Sequence, residues 1–307
     1  MLGLVLLFSA LAYLVSIFIL IALKFRWGMR LAGFVSLAII GGMMAVFLYE
    51  AMPALERYGF SLLITAGWDP PREEYGLLPA IVGTLATSAV AIAIAMPLAI
   101  SVAVVINEML PRSLRNVFSS LVDLIAAMPT VIFGLWGLFV LGPMLADFLN
   151  NVAGDYVAAP LSLLTASILL AVMITPYAAA VIREGYALVP KVVEEAIYSI
   201  GATRLEAILI KLRYVKNYIF GGFFLALGRA MGETVAVAMV VGGNYSRLPQ
   251  SLLESGITLS SLIALQFPNA FAYTYMVPVL FTAALMVALL GVVINGVAIY
   301  ILYRTQI

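Results

Sequence analysis

The chain has 307 residues, of which 64% are hydrophobic and only 10% charged, and its mean hydropathy is +1.14. Soluble domains carry about 25% charged residues, so this composition excludes an ordinary soluble fold and predicts an all-α, polytopic membrane helix bundle. The formal net charge of +1 does not indicate nucleic-acid binding. The sequence has no cysteine and no histidine, which excludes disulfides, thiolate metal sites and histidine chemistry, and we expect neither a metal nor a cofactor.

Seven apolar stretches are long enough to cross a bilayer, because about 20 apolar residues span the hydrocarbon core as a helix. They lie at residues 2–23, 31–49, 79–106, 116–143, 161–182, 217–243 and 273–302. The first lacks the basic start of a signal peptide, and Lys24 follows it rather than precedes it, so we expect a retained helix. We divide the chain into an extra N-terminal helix and cytoplasmic loop at 1–30 and a transport domain at 31–307.

Lysine and arginine predict the orientation, since cytoplasmic loops carry an excess of them. With the 24–30 loop inside, twelve basic residues face the cytoplasm and three face outward. The inner set is Lys24, Arg26, Arg30, Arg112, Arg115, Arg183, Lys191, Arg204, Lys211, Arg213, Lys216 and Arg304, and the outer set is Arg57, Arg72 and Arg247. We therefore predict a plasma-membrane protein with its N-terminus outside and its C-terminus in the cytoplasm.

Two loops are longer than a simple connection needs. The outer loop 50–78 contains Pro and Gly residues that exclude a continuous helix. The inner segment 183–216 has apolar residues at helical spacing, interrupted by Gly201. This pattern predicts two short amphipathic helices joined by a turn at Gly201. They would be either membrane-surface helices or a docking element for a cytoplasmic partner.

The inner segment also carries a recognisable motif. Glu194-Glu195-Ala196, followed by Gly201, resembles the EAA loop of ABC importer permeases. In that family the loop enters a groove on the ATPase subunit and couples nucleotide-driven closure to movement of the membrane helices. The resemblance implies that residues 185–214 form such a coupling loop, with these four residues at its contact. It also implies a type I importer core of six spans, to which helix 2–23 is additional.

Other segments are similar to PstC-type phosphate permeases. They are Ala126–Gly137, Ile174–Tyr177, Leu227–Val237 and the tract Trp68–Gly76 followed by Gly83-Thr84-Leu85. Together the similar segments cover roughly residues 60–270, and the Gly-Glu-Thr-Val-Ala-Val ending favours PstC over the partner permease PstA. The resemblance implies the pore subunit of an ATP-driven phosphate importer. Its expected partners are a PstA-like permease, a dimeric PstB-like ATPase and a PstS-like phosphate-binding protein.

The coupling loop departs from the family pattern at its end. The usual Leu-Pro pair is replaced by Leu212-Arg213-Tyr214. Without that proline, we expect the loop to run more continuously into the next helix.

Arg229 and Glu233 are charged residues within the predicted span 217–243. Each such charge costs about 2.5–3.5 kcal/mol on insertion scales, so both are expected to face the bundle interior. Their i, i+4 spacing places them on one helical face, where they could form a purely structural salt bridge. Alternatively, Arg229 lines the pore and binds a phosphate oxyanion, and Glu233 holds it when phosphate is absent. The family resemblance favours this second interpretation.

Three further features of the spans allow a structural interpretation. Asp123, near the start of the predicted span 116–143, is explained by the helix dipole. Pro129 and Pro176 are expected to kink their helices, either to shape the bundle or as hinges. Gly228 and Gly232 form a small-xxx-small pair beside Arg229, which predicts close approach of another helix, such as one from a second permease subunit.

Several classes of function remain as alternatives. No Walker A sequence occurs, so we predict that the chain is not an enzyme and that ATP hydrolysis resides on a separate subunit. A secondary transporter would need an inverted repeat, which the sequence does not show, and would leave the EAA-like loop unexplained. A further alternative is an ABC importer permease that transports molybdate, sulfate or another oxyanion instead of phosphate. A purely structural membrane subunit would not need Arg229 and Glu233.

Overall fold

A computed structural model describes residues 13–17, 25–153 and 159–305 of the chain. Residues 13–17 are helical, and the rest of the predicted span 2–23 lies outside the described residues. Helix α1 spans Phe25–Tyr58, so the loop predicted at 24–30 is wrong from Phe25 onward. Residues 25–30 contain no proline and the single Gly28 is tolerated within a helix, which lets the helix start early.

A small hairpin fills the outer loop after the short helix α2, Ser61–Ile64. Strand β1, Trp68–Asp69, pairs antiparallel with β2, Glu74–Tyr75. A 3-10 turn at Pro70–Arg72 joins the strands, because the prolines fix φ and cannot donate hydrogen bonds to a longer ladder. The prediction that no continuous helix crosses this loop is confirmed.

The predicted span 116–143 is wrong in its position. Helix α3 spans Leu78–Val104 and continues as a π-helical turn, Val105–Met109, before a separate amphipathic helix, α4, at Arg112–Ala126. The chain crosses the bundle afterwards, in α5, Thr130–Trp136, a π-helical turn, Gly137–Leu141, and α6, Gly142–Ala153. Pro129 ends the helical path because it lacks an N–H group and disfavours helical backbone at the residue before it.

The remaining helices follow in chain order. Helix α7 spans Leu163–Ala187, α8 Lys191–Ser199, α9 Arg204–Tyr214, α10 Lys216–Gly232, α11 Val235–Val240, α12 Leu259–Gln266 and α13 Met276–Thr305, with a 3-10 turn at Phe267–Ala272. The predicted span 217–243 is therefore not one helix. It breaks at Glu233, whose backbone is extended (φ −68°, ψ 128°), directly after Gly232. The Thr234 hydroxyl donates to the Gly232 carbonyl at 3.1 Å, replacing a helical bond.

Six crossings result from these elements. Five helices in the described part of the chain are long and apolar enough to span a membrane: Trp27–Tyr58, Leu78–Met109, Thr130–Val152, Leu163–Ala187 and Met276–Ile301. Helices α10 and α11 together form a sixth, interrupted crossing. The chain is thus an all-α, multi-pass membrane bundle with the predicted six-span core.

Helix α7 has much of its surface in the core and packs against both α3 and α10. The contacts use small side chains: Ala95 and Ala99 of α3 and Ala178 of α7 are fully buried, and Gly222 of α10 lies against the Ala178 carbonyl. Lipid provides no hydrophobic force between helices, so close packing of small residues supplies the association.

The loops gather into two groups, one at each end of the bundle. The segment 244–258 bonds through its main chain to the start of α7, with Leu163 N–H donating to Glu254 at 3.0 Å and Leu164 N–H to Leu252 at 2.7 Å. Trp68 of the hairpin packs against Tyr245 of the same segment. The predicted outer loops therefore meet at one end. The predicted inner segment 183–216 lies at the other end, beside residues 105–111 that follow α3, where Lys211 contacts Glu108.

Candidate functional site

Arg229 stands on α10 one turn before the break in the sixth crossing. It is half-buried, and its guanidinium carbon lies 4.2 Å from the centroid of the Tyr177 ring on α7. Its Nε is buried and has no hydrogen-bond partner among the described residues. A cation held over an aromatic face is attracted by the ring quadrupole, so the ring fixes the guanidinium while its outer nitrogens stay available.

Tyr177 in turn connects Arg229 to the end of α4. Its hydroxyl donates to the carbonyl oxygen of Ala126, the last residue of that helix. This carbonyl lacks a helical partner because Pro129 stops the helix, so the tyrosine satisfies it. Together with the stacking on Arg229, the contact joins three of the four segments that resemble PstC-type permeases, around Ala126, Tyr177 and Arg229. Sequence reasoning quoted Tyr177 within its motif but gave it no role, because its partners are distant in sequence.

Glu233 does not pair with Arg229 as the i, i+4 spacing suggested. The argument assumed a continuous helix, whereas α10 ends at Gly232 and the chain turns away. No ion pair joins the two residues in the part of the chain that the structure describes. Glu233 is half-buried at the break itself, where the Ser260 hydroxyl also satisfies the Met231 carbonyl at 3.3 Å. Its role in transport stays a prediction.

The coupling loop has the predicted form of two helices joined at Gly201. This glycine has φ +80°, a left-handed conformation that other residues adopt at a cost. Helix α9 begins with a capping box, in which Thr203 and Glu206 bond to each other's backbone N–H groups. The hydrogen bonds from the Thr203 side chain and backbone lower the pKa of Glu206.

The four predicted contact residues divide into two groups. Glu195, Ala196 and Gly201 are exposed, next to Ile200, whose side chain is 78% exposed. An open groove of about 440 Å³ runs beside this turn, between Gly201 and the outer face of α9. Glu194 differs, since its carboxylate turns back to the Lys211 ammonium at 2.6 Å. Three of the residues are therefore free for a partner, and the fourth has an internal contact.

Lys211 is the residue of this region that sequence reasoning missed. Its side chain is only 4% exposed, and it pairs with Glu108 at 2.7 Å as well as with Glu194. Burial alone would lower the pKa of Lys211, but the hydrogen bonds to the two carboxylates outweigh it and raise the pKa. A signal was present, because Lys211 follows the buried Ala207 and Ile208 at helical spacing and so lies on the inner face of α9.

Two sequence predictions about the inner end can be compared with the structure: one was wrong, for Asp123, and one was confirmed, for the exit of the coupling loop. Asp123 lies in the last turn of α4 rather than near a helix start, so the dipole explanation is wrong. It pairs instead with Arg183 of α7 at 3.0 Å. The loop exit agrees with the prediction from the absent Leu-Pro pair, since Val215 alone separates α9 from α10.

Comparisons with known proteins agree with this arrangement. The family model for "binding-protein-dependent transport system inner membrane component" matches residues 95–305. A probable phosphate transport system permease protein PstC of Methanocaldococcus jannaschii is 41% identical over 272 residues, covering 84% of this chain and 86% of that one. The phosphate transport system permease protein PstC of Mesorhizobium japonicum is 36% identical over 289 residues, covering 90% of this chain and 88% of that one.

Solved structures agree on the fold. A chain of the MetNI methionine ABC transporter, in an inward-facing conformation, matches with a TM-score of 0.54 at 17% identity, covering 74% of this chain and 95% of that one. A bacterial ABC transporter involved in alginate import matches with a TM-score of 0.56 at 18% identity, covering 92% of this chain and 99% of that one. From the family model and the PstC relatives together, the chain belongs to the binding-protein-dependent transport inner membrane component family, as a PstC-type member.

Proposed function

We propose that this chain is the transmembrane pore subunit of an ATP-driven importer of inorganic phosphate. The observation that carries the proposal is the half-buried Arg229, whose guanidinium stacks on the Tyr177 ring next to the break in the sixth crossing. The chain that holds it is 41% identical to a probable phosphate permease. A cation inside a membrane bundle is costly and typically either pairs with a carboxylate or lines a polar path, so an Arg229 without an ion pair among the described residues supports a route for an anion.

Arg229 is the proposed phosphate ligand within the path. The guanidinium presents a planar set of donors that matches two oxygens of an oxyanion. Tyr177 covers one face of this group and leaves its edge free. Glu233, at the start of the non-helical break, is proposed to shorten the time that phosphate stays bound to Arg229. Its negative carboxylate repels the negative phosphate ion nearby.

The coupling loop is proposed to receive the ATPase. Glu195, Ala196 and Gly201 form the contact, while Glu194 organises the loop through Lys211. ATP-driven closure of a PstB-like dimer draws two such loops together and turns the pore outward. Hydrolysis and release turn it inward, as a population shift between two packings of the helices.

Two other partners complete the assembly. A PstA-like permease encloses the pore, and the surface offered to it includes Gly228 and Gly232, beside which there is open space in this chain. A PstS-like binding protein delivers phosphate to the outer loops around 50–78 and 244–272. The permease domain is proposed to begin with α1, and we assign no transport role to the predicted helix 2–23 that precedes it.

Phosphate uptake by reconstituted vesicles that contain all partner subunits tests the function. Arg229→Lys keeps the charge but loses the planar donor edge, so uptake per assembled complex should fall by at least about tenfold, and Arg229→Ala should fall further. Glu233→Gln should slow release more than capture. Wild-type uptake by both Arg229 variants would remove Arg229 from the path. Uptake of sulfate or molybdate in preference to phosphate would instead support the alternative cargo.

The proposed orientation has a separate test that the sequence makes simple. Since the native chain has no cysteine, a single introduced thiol gives no background. Arg72→Cys, on the exposed hairpin turn, should react with an impermeant reagent from outside intact cells. Thr203→Cys, on the exposed coupling loop, should react only after permeabilisation. The reverse pattern would contradict the charge argument that places the N-terminus outside.

A further inference from the structure

Three charged side chains meet beneath the coupling helices at the inner end of the bundle. The Lys211 ammonium of α9 donates to Glu108 Oε1 at 2.7 Å and to Glu194 Oε1 at 2.6 Å. Glu108 belongs to the π-helical turn that follows α3, and Glu194 belongs to α8. We call Lys211, Glu108 and Glu194 the Lys211 junction. One buried ammonium thus connects both coupling helices to a membrane crossing.

Neighbouring groups fix the Glu108 side of the junction. The Tyr186 hydroxyl, at the end of α7, donates to the same Glu108 oxygen at 2.8 Å. The Arg204 guanidinium, at the start of α9, donates to the Glu108 main-chain carbonyl at 2.6 Å. That carbonyl lies in the π-helical turn, whose irregular backbone leaves acceptors for such contacts. Both termini of α9 are therefore attached to the same turn of the chain.

The burial of the junction makes it rigid. Glu108 is 12% exposed and Lys211 4% exposed, so neither charge has much contact with water. Separating them would leave buried charges without partners, which is strongly unfavourable. Glu194, with 45% of its side chain exposed, forms the outer arm of the junction. The two coupling helices and the end of α3 are expected to move as one body.

Helix α3 carries such a movement into the pore. It packs along α7 and also contacts α10, the helix that bears Arg229. The coupling loop has a second connection to α10, because Val215 alone separates that helix from α9. A displacement of the loop can therefore reach the Arg229 region through two helices at once.

We propose that Lys211 is the positioning residue that couples the ATPase-docking loop to α3, so that loop displacement moves α3 and α10 together. The inference rests on the proposed function, since it requires an ATPase at the loop. Without Lys211, the coupling helices would follow the ATPase while α3 stays behind. ATP would then be hydrolysed with little phosphate import.

The test measures ATP hydrolysis and phosphate import in the same reconstituted vesicles with all partner subunits. Lys211→Met keeps an unbranched stem and removes the charge. The control, Lys216→Met, makes the same change at an exposed lysine at the start of α10. Lys211→Met should retain ATP hydrolysis but import about tenfold less phosphate per ATP, a typical size for a coupling effect. Lys216→Met should keep the wild-type ratio.

Two further variants keep the inference testable if Lys211→Met does not assemble. Glu194→Gln weakens only the half-exposed outer arm, and its ratio of phosphate to ATP should fall severalfold. The exchange Lys211→Glu with Glu108→Lys restores opposite charges and should recover part of the ratio lost by Lys211→Glu alone. Wild-type ratios in assembled Lys211→Met, or in Glu194→Gln where the former fails to assemble, would overturn the inference.

Measurements on the wild-type complex distinguish a failure of the proposed phosphate function from a failure of the proposed role of Lys211. A wild-type complex that hydrolyses ATP but imports no phosphate would contradict the proposed cargo only. The junction would then be tested by stimulation of ATP hydrolysis by the binding protein, which Lys211→Met should abolish and Lys216→Met should preserve.

Discussion

The two ends of the bundle are held together by different kinds of contact. At the outer end, main-chain hydrogen bonds attach segment 244–258 to α7, and aromatic rings pack around Trp68, with Tyr75 at 5.2 Å between ring centroids. The ion pair Arg57–Glu73 at this end is exposed, whereas each ion pair of the inner end, in the Lys211 junction and in Arg183–Asp123, includes a largely buried side chain and joins separate helical segments. Main-chain bonds and close packing fix one arrangement, whereas side-chain ion pairs between separate helices can shift as units. The comparison indicates a rigid outer end and an inner end through which movement enters.

The largest effect is expected where the outer end is most tightly packed. Gly83 of α3 lies against segment 244–258, and a Cβ at this position would overlap the carbonyl oxygen of Ile257. The neighbouring Thr84 hydroxyl accepts the Leu259 N–H at 2.9 Å, so the segment cannot easily move away. Gly83→Ala should destabilise the permease by about 1–3 kcal/mol or more and reduce the amount of folded protein. Thermal unfolding in detergent measures this change.

Gly221→Ala provides the matched control for that prediction. It also lies in a membrane helix, but an added Cβ would meet only Val181 Cγ1 at an ordinary 3.7 Å. The substitution should leave stability equal or slightly raised, because alanine favours helices more than glycine does. Equal stability of the two variants would contradict the view of a rigid outer end.

The second effect concerns the turn of the coupling loop. Open space surrounds Gly201, so a side chain there would meet no steric obstacle within this chain. The constraint is its φ of +80°, which a β-branched residue tolerates poorly and asparagine tolerates better. Gly201→Val should leave the permease in the membrane and abolish transport-coupled ATP hydrolysis, while Gly201→Asn should keep a substantial part of it. Equal loss in both variants would show that backbone conformation is not the cause.

The third effect lies between the two ends, at the ring that holds Arg229. Tyr177→Phe keeps the ring stacked on the guanidinium and loses the bond to Ala126, whereas Tyr177→Leu loses both. Because a desolvated cation–π contact contributes about 2 kcal/mol, phosphate uptake should fall by about tenfold or more in Tyr177→Leu. The loss in Tyr177→Phe should be smaller. Equal losses in the two variants, in uptake assays on equal amounts of assembled complex, would show that the hydroxyl and not the ring is what matters.

The smallest effect is expected from the cap of α9. Thr203→Ala removes the hydroxyl that accepts the Glu206 N–H and should lower the unfolding temperature by about 2 °C or less. The folded pKa of Glu206 is lowered, so its stabilising effect is present above the unfolded pKa of about 4.3 and is lost as the pH falls below it. The difference between Thr203→Ala and wild type should therefore shrink in acid. A constant difference down to pH 3 would contradict the cap.

The sequence was sufficient for the class of fold and for the two-helix form of segment 183–216, but not for the breaks in the crossings. Apolar length indicated the crossings, and Gly201 indicated the turn, because both signals are local. The predicted span 116–143 was wrong for two reasons. The apolar face of the amphipathic helix α4 resembles a membrane helix in composition, and Pro129 was interpreted as a kink within a helix rather than as the end of one. The break at Glu233 has no proline, and its stabilising bonds from Thr234 and Ser260 depend on the folded chain.

The site shows the same limit. Arg229 could be selected from sequence because a charge in an apolar run is conspicuous. Its partner Tyr177 could not, since 52 positions separate the two residues and only packing of α7 on α10 brings them together. Lys211 and Glu108 are likewise 103 positions apart. Long-range contacts of this kind leave little trace in a single sequence beyond the helical face on which each residue lies.

The single residue between α9 and α10 has a geometric consequence. Helix α10 contains 17 residues, which corresponds to about 26 Å of axial length. If the coupling loop tilts α10 about Val215 by about 10°, the far end of the helix moves sideways by about 4 Å. That end carries Arg229 and the break at Glu233. A tilt of about 10° at the end of the helix that adjoins the loop would thus become, by leverage alone, a displacement of about 4 Å at the proposed phosphate ligand.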